Sequence, residues 1–162
     1  MDLALPLMDE LHVDGLEADI AASVAYLNDA GLPASQIAVL GFCMGGSVAL
    51  YASTMFELGT TVTFYGGGVS TGRFGMPPLK DLGPAIRCPW LGLYGAQDHT
   101  IPPEDIEALR SAVAESHAKT ELVSYPEAGH GFNCDERAIF VPSAAADAWQ
   151  RTLAFLDAQL TA

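Results

Sequence analysis

Residues 38–50, AVLGFCMGGSVAL, decide how the chain is read. An apolar run ends at Cys43, with Gly41 two residues before it and Gly45 two after. A small cysteine buried for packing needs no such frame. A cysteine lifted out of a sheet and presented to solvent does, and Gly-x-Cys-x-Gly has the form of a nucleophile elbow. The turn from strand to helix is sharp there, so Gly41 and Gly45 are expected to omit Cβ atoms that would clash across it. A helix opening near Met44 aims its first N–H groups and its dipole at the sulfur, which favours thiolate. The Met44 N–H is the expected oxyanion donor.

Upstream of the elbow, Leu16, Ile20, Val24 and Leu27 recur at helical spacing over residues 14–30, and Gly31 follows as a stop. The run 37–41, IAVLG, has the character of a strand buried on both faces. Helix is expected from Met44 onward, a second strand at 61–66 (TVTFYG), and a Gly/Pro-rich loop from Gly66 to Pro89. A third strand is expected at 90–95, WLGLYG. A helix from Pro103 to about His117 follows, with Ile106, Leu109 and Val113 inward and the acids Glu104, Asp105 and Glu107 suited to its first turns. A fourth strand spans 120–126, TELVSYP. The closing helix begins at Ser143, a good N-cap, with Ala145, Trp149, Leu153, Leu156 and Leu160 along its inner side.

Strands alternating with helices imply an α/β fold with a mostly parallel sheet flanked by helices. In such sheets function gathers beyond the carboxyl ends of the strands. Cys43 lies beyond the first strand, Asp98 (in YGAQDHTIPP) beyond the third, and His130 (in PEAGHGF) beyond the fourth. A thiolate needs a proton acceptor, and the acceptor needs an orienting acid. Cys43, Asp98, His130 is the order nucleophile, acid, histidine of the α/β-hydrolases. Taken singly, each residue has a plainer reading: packing cysteine, turn aspartate, surface histidine. His99 is expected to point away from the site.

The chain has 162 residues, half of them apolar and 17% charged, a composition that supports a folded core. A net charge of −13 repels phosphate, which excludes nucleic acid and anionic membrane surfaces as expected partners. Residues 37–56 carry no charge, about the length of a membrane span. Gly41, Gly45 and Gly46 interrupt that run, and its β-branched start reads as a separate strand, so a span is not expected. Cys43, Cys88 and Cys134 form no CxxC pair, which argues against zinc or a disulfide framework and for a reducing, cytoplasmic setting. Cys88 and Cys134 are read as non-catalytic. The Gly66–Gly68 triplet lacks the Lys-Ser/Thr of a phosphate loop.

Taken together, GFCMGG, YGAQD..IPPEDIEAL, YPEAGHGF and AWQRTLAFL resemble the dienelactone hydrolase family of the α/β-hydrolase fold. The resemblance runs over nearly the whole chain and implies one α/β-hydrolase domain, 1–162, lacking the fold's N-terminal strands. By it, Cys43 is the nucleophile, His130 its base and later the acid, and Asp98 the orienting carboxylate. It implies opening of small enol-lactones or related esters, without a metal or organic cofactor. Arg137, with Arg73 as a weaker candidate, is the implied partner of a substrate carboxylate, and Tyr65 a wall of the pocket. The loop that supplies a second oxyanion N–H has no counterpart here. A shortened, weakly active copy serving as a binding or assembly module is the alternative.

The resemblance also implies that 37–41 is a central strand whose earlier neighbour is absent. One edge is therefore expected to stand open, partly covered by Leu3 to Leu11, and to draw the chain into homo-oligomers.

Overall fold

The computed structural model describes residues 10–160. Helix α1 (Val13–Asp29) buries Val24, while Ile20 and Leu27 pack with it against Ile37 and Leu58. It stops where Gly31 turns left-handed (φ 94°), which lets the Leu32 N–H reach back to the Leu27 carbonyl at 3.0 Å. A 3₁₀ turn, Ala34–Gln36, then feeds strand β1 (Ala38–Phe42), one residue later than the apolar run suggests.

Four strands pair in the order β1-β2-β3-β4, and every pair is parallel. They are β1, β2 (Thr60–Phe64), β3 (Trp90–Gly95) and β4 (Thr120–Tyr125). Helix α2 (Met44–Met55) crosses from β1 to β2 and packs on both. The loop after β2 holds a short helix, α3 (Leu79–Leu82), and a 3₁₀ turn, Gly83–Ala85, where only loop is expected from the sequence. A single turn is too short to show a helical period. Helix α4 (Pro103–Val113) buries Ile106, Leu109 and Val113, as their spacing requires. The architecture is α/β, a parallel sheet flanked by helices.

The sheet's two faces are chemically distinct. Toward α2, the Thr63 hydroxyl donates to the Gly46 carbonyl at 3.0 Å and accepts from the Trp90 indole N–H at 3.1 Å. These polar groups are buried and mutually satisfied, so their hydrogen bonds offset the desolvation that the close approach of helix to sheet imposes. On the other face Val62, Phe64, Leu91 and Leu93 are buried, and α5 (Pro142–Leu160) packs across β2 and β3. Its inner side is the expected one at Ala145, which is buried, and at Leu156, which packs against the core, but not at Trp149 and Leu153. Ala144, Ala148, Thr152 and Phe155 are buried, whereas Trp149 is 42% and Leu153 50% exposed. Small residues let the helix approach the sheet, and one phenylalanine supplies the volume. The helix also starts at Pro142, so Ser143 lies inside it and is not its N-cap.

Strand β1 pairs only with β2, and no strand lies beyond it among the described residues. Phe42 stacks on Phe64 at 4.6 Å, which puts it on the α5 face, but α5 packs on β2 and β3 and reaches toward β4, where its Asp147 accepts from the Tyr125 hydroxyl. Leu40 and Phe42 are therefore 36% and 39% exposed. An apolar groove of about 390 Å³ runs between α1 and this edge, past Leu16, Ile20, Val24, Leu27 and Leu40. The expected cover from Leu3 to Leu11 falls almost wholly outside the described residues. No helix among those residues is long and apolar enough to cross a membrane.

An unpaired apolar edge is a pairing template. Size-exclusion chromatography of the 162-residue chain should show concentration-dependent association, reduced by Leu40→Lys. A monomer at all concentrations, melting cooperatively above about 65 °C, would contradict this.

Candidate active site

Cys43 sits between β1 and α2 at φ 55°, ψ −116°, a left-handed conformation that side chains rarely adopt. The turn is held by two close approaches. A Cβ on Gly41 would stand 1.8 Å from the Gly45 carbonyl oxygen, and one on Gly46 would stand 2.5 Å from the Phe64 carbonyl oxygen. A Cβ on Gly45 would meet nothing within 4 Å. The second glycine of the Gly-x-Cys-x-Gly frame thus contributes its carbonyl, not its missing side chain, and Gly46 carries the steric role assigned to it from sequence. The Cys43 N–H donates to Phe64 O at 3.0 Å and continues the ladder. Its carbonyl accepts the Gly46 N–H at 3.0 Å as the helix begins.

The loops after β3 and β4 are pressed together. The Gln97 N–H donates to Ala128 O at 2.8 Å, and Gly95 leaves no room for a Cβ, which would lie 2.4 Å from that same oxygen. The contact sets Asp98 beside His130. The His130 Nδ1–H donates to Asp98 Oδ2 at 2.7 Å, and its Nε2 lies 3.1 Å from Cys43 Sγ. Gly131 (φ 77°) makes the turn after the imidazole. Asp98 is only 3% exposed, and its other oxygen, Oδ1, accepts the Thr100 N–H at 2.8 Å and the Thr100 hydroxyl at 2.7 Å. His99 is exposed and takes no part in these contacts.

A cavity of about 390 Å³ opens at the sulfur, lined by Phe42, Cys43, Tyr65, His130, Cys134 and Arg137 among others. Tyr65 follows β2 at φ 39° and packs edge-on to Phe132, with its ring 5.2 Å from the imidazole. Burial, then the neighbouring Cys134 and Cys43 sulfurs, push its phenol up to about 12. Arg73 lies over the Phe74 ring at 5.0 Å. Cys134 lines the cavity, a place its sequence context does not signal, whereas Cys88 is buried in the packing beneath β1. No group of three or more His, Cys, Asp or Glu suited to a metal occurs among the described residues.

The model of the dienelactone hydrolase family matches residues 2–160. The chain belongs to the dienelactone hydrolase family. It is 38% identical to the "Putative carboxymethylenebutenolidase" of Salmonella typhimurium over 138 residues, 84% of this chain and 51% of that protein. A protein of the same name from Saccharolobus solfataricus is 34% identical over 140 residues, 85% of this chain and 49% of that protein. The chain spans about half the length of the curated relatives it matches. Among solved structures, "Putative Dienelactone Hydrolase" from Klebsiella pneumoniae superposes with a TM-score of 0.79 at 34% identity, covering 86% of this chain and 59% of that one. The fold is that of the α/β-hydrolases.

In this family member the site's electrostatics favour a thiolate. The His130 hydrogen bond holds the Cys43 thiol below its ordinary range against the opposing effect of burial; the His130 charge, the Met44 N–H and the Arg73 charge act in the same direction. His130 is pushed up to about 9, first by its hydrogen bond to Asp98 and then by Cys43. Burial alone would raise the Asp98 carboxyl, but hydrogen bonds from His130 and Thr100 outweigh it and keep the group below the usual carboxylate range.

The two glycines of the frame should respond oppositely to alanine. Gly41→Ala should lower the denaturant midpoint severely, because the Cβ collides with backbone at 1.8 Å. Gly45→Ala should be neutral or stabilise by up to about 1 kcal/mol, the helix-propensity difference. Equal effects would contradict the close approach.

Proposed function

We propose that this chain carries a centre that hydrolyses small esters or lactones, in the manner of a carboxymethylenebutenolidase, through Cys43, His130 and Asp98. The observation that carries the reading is the continuous run of contacts from sulfur to imidazole to buried carboxylate, at 3.1 and 2.7 Å, opening on a cavity. The Cys43 thiol proton passes to His130 Nε2, and the thiolate attacks the substrate carbonyl. Negative charge develops on the carbonyl oxygen, toward which the Met44 N–H is the available donor in this chain. Collapse expels the alkoxide or enolate, which takes its proton from His130, and leaves a thioester on Cys43. Water, deprotonated by His130, attacks the thioester, releasing the acid and restoring the thiol. Asp98 holds the imidazole and stabilises its charge throughout. No step requires a metal or organic cofactor.

The cavity, about 390 Å³, is near the lower end of small-molecule sites and suits a compact substrate. Arg137 lines it and the Arg73 charge reaches the sulfur, and neither has a carboxylate at ion-pair distance among the described residues. Two unpaired guanidiniums in a chain of charge −13 support a substrate that bears a carboxylate, with Tyr65 as a wall beside it. Three free cysteines are consistent with a reducing cytoplasm.

The test is hydrolysis of p-nitrophenyl acetate and of a carboxylated enol-lactone by the purified chain. Cys43→Ala and His130→Ala should each lose at least about 10³-fold in kcat/KM. The rate should rise as pH passes the lowered Cys43 value and fall above about 9, where His130 loses the proton that the leaving group needs. Undiminished turnover in Cys43→Ala would overturn the assignment. No turnover in the unaltered chain would favour the binding or assembly module.

A further inference from the structure

We infer that Thr100 is a positioning residue for the proton-handling unit, acting through its side-chain hydroxyl. The inference rests on the reading of Cys43, His130 and Asp98 given above. Thr100 lies two residues after Asp98, and its N–H reaches back to Asp98 Oδ1 at 2.8 Å. Any residue but proline supplies that N–H. The hydroxyl is particular to this side chain, and it makes two contacts. It donates to Asp98 Oδ1 at 2.7 Å, and its oxygen lies 3.2 Å from His130 Nδ1. The Nδ1–H is thereby shared between Asp98 Oδ2 and Thr100 Oγ1, and three side chains close into one ring.

The ring has a mechanical consequence. A carboxylate held through one oxygen alone rotates about its Cβ–Cγ bond and carries the imidazole with it. Here Oδ1 is fixed by two donors, so Oδ2 is held toward Nδ1. Thr100 is itself fixed from both sides, because Asp98 and Ile101 are 3% and 1% exposed and Pro102 and Pro103 follow. A β-branched side chain adds a stiff first torsion, which keeps the hydroxyl in place. Thr100 itself is solvent-exposed, so replacing it leaves the core intact. The hydroxyl also favours the charged forms of both partners: it donates to the carboxylate and accepts from the imidazolium. Its loss therefore weakens the Nε2 contact on which the thiolate depends.

The experiment measures iodoacetamide alkylation of Cys43 against pH, by peptide mass spectrometry, in the unaltered chain, Thr100→Val, Thr100→Ala and Thr100→Ser. No ester substrate is involved, so the readout is independent of turnover. In Thr100→Val and Thr100→Ala the apparent Cys43 pKa should rise by about one unit, which lowers the thiolate fraction at neutral pH up to about tenfold. Thr100→Ser, which keeps the hydroxyl, should restore most of it. A purely structural role would leave the pH midpoint unmoved and change only the unfolding midpoint. Unshifted profiles in both Thr100→Val and Thr100→Ala, with Cys43 still selectively labelled, would overturn the role of Thr100. Cys43 labelled no faster than Cys88 and Cys134 in the unaltered chain would instead overturn the underlying reading, and this inference with it.

Discussion

Everything at the site follows from how closely α2 approaches the sheet. Gly41 lies against the Gly45 carbonyl, Gly46 against the Phe64 carbonyl, and the Thr63 hydroxyl ties the Gly46 carbonyl from below. These contacts force the chain to reverse at one residue, and that residue is Cys43, at φ 55°. A non-glycine residue in such a conformation costs roughly 1–3 kcal/mol and persists only where its surroundings fix it. Here they do, through the Cys43 N–H on Phe64 O and the helix that begins at Met44. The same reversal that strains the backbone lifts the sulfur above the sheet and puts a helix N-terminus behind it.

Two further loops need only meet above that point. The Gln97–Ala128 hydrogen bond and the bare α-carbon of Gly95 hold them in contact, so one wall carries both Asp98 and His130. Burying a carboxylate is unfavourable unless its charge is answered. Asp98 is answered by His130 on one oxygen and Thr100 on the other, and the imidazole passes the effect on to the thiol. A chain of charge −13 nonetheless keeps Arg73 and Arg137 near the cysteine, with Asp135 also on the cavity wall.

Much of this was legible in the sequence, for identifiable reasons. The α1 stripe and β3 show strong periodicity or a continuous apolar run between clear breakers, and their bounds in the structure lie close to those expected. The meeting of Cys43, Asp98 and His130 was legible because glycines and strand ends mark all three. What stayed hidden depends on contacts between distant segments. That Gly46 and not Gly45 avoids a clash is set by Phe64, eighteen positions away. The inner side of α5 departs from the sequence pattern at Trp149 and Leu153, which hydrophobicity favours, because close approach favours Ala144, Ala148 and Thr152. Thr100 looks like an ordinary loop threonine until the histidine loop folds over it, and Cys134 reaches the cavity only through the turns after His130.

The central claim is that Cys43 Sγ is the atom on which acyl transfer occurs. Rapid mixing with p-nitrophenyl acetate, acid quenching and intact-mass analysis tests it directly. The expected result is a transient species heavier by one acetyl group, mapped to the peptide bearing Cys43 and absent from His130→Ala at the same mixing time. Release of nitrophenol with no acetyl on Cys43 at any time, or with acetyl found equally on Cys88 or Cys134, would contradict the account.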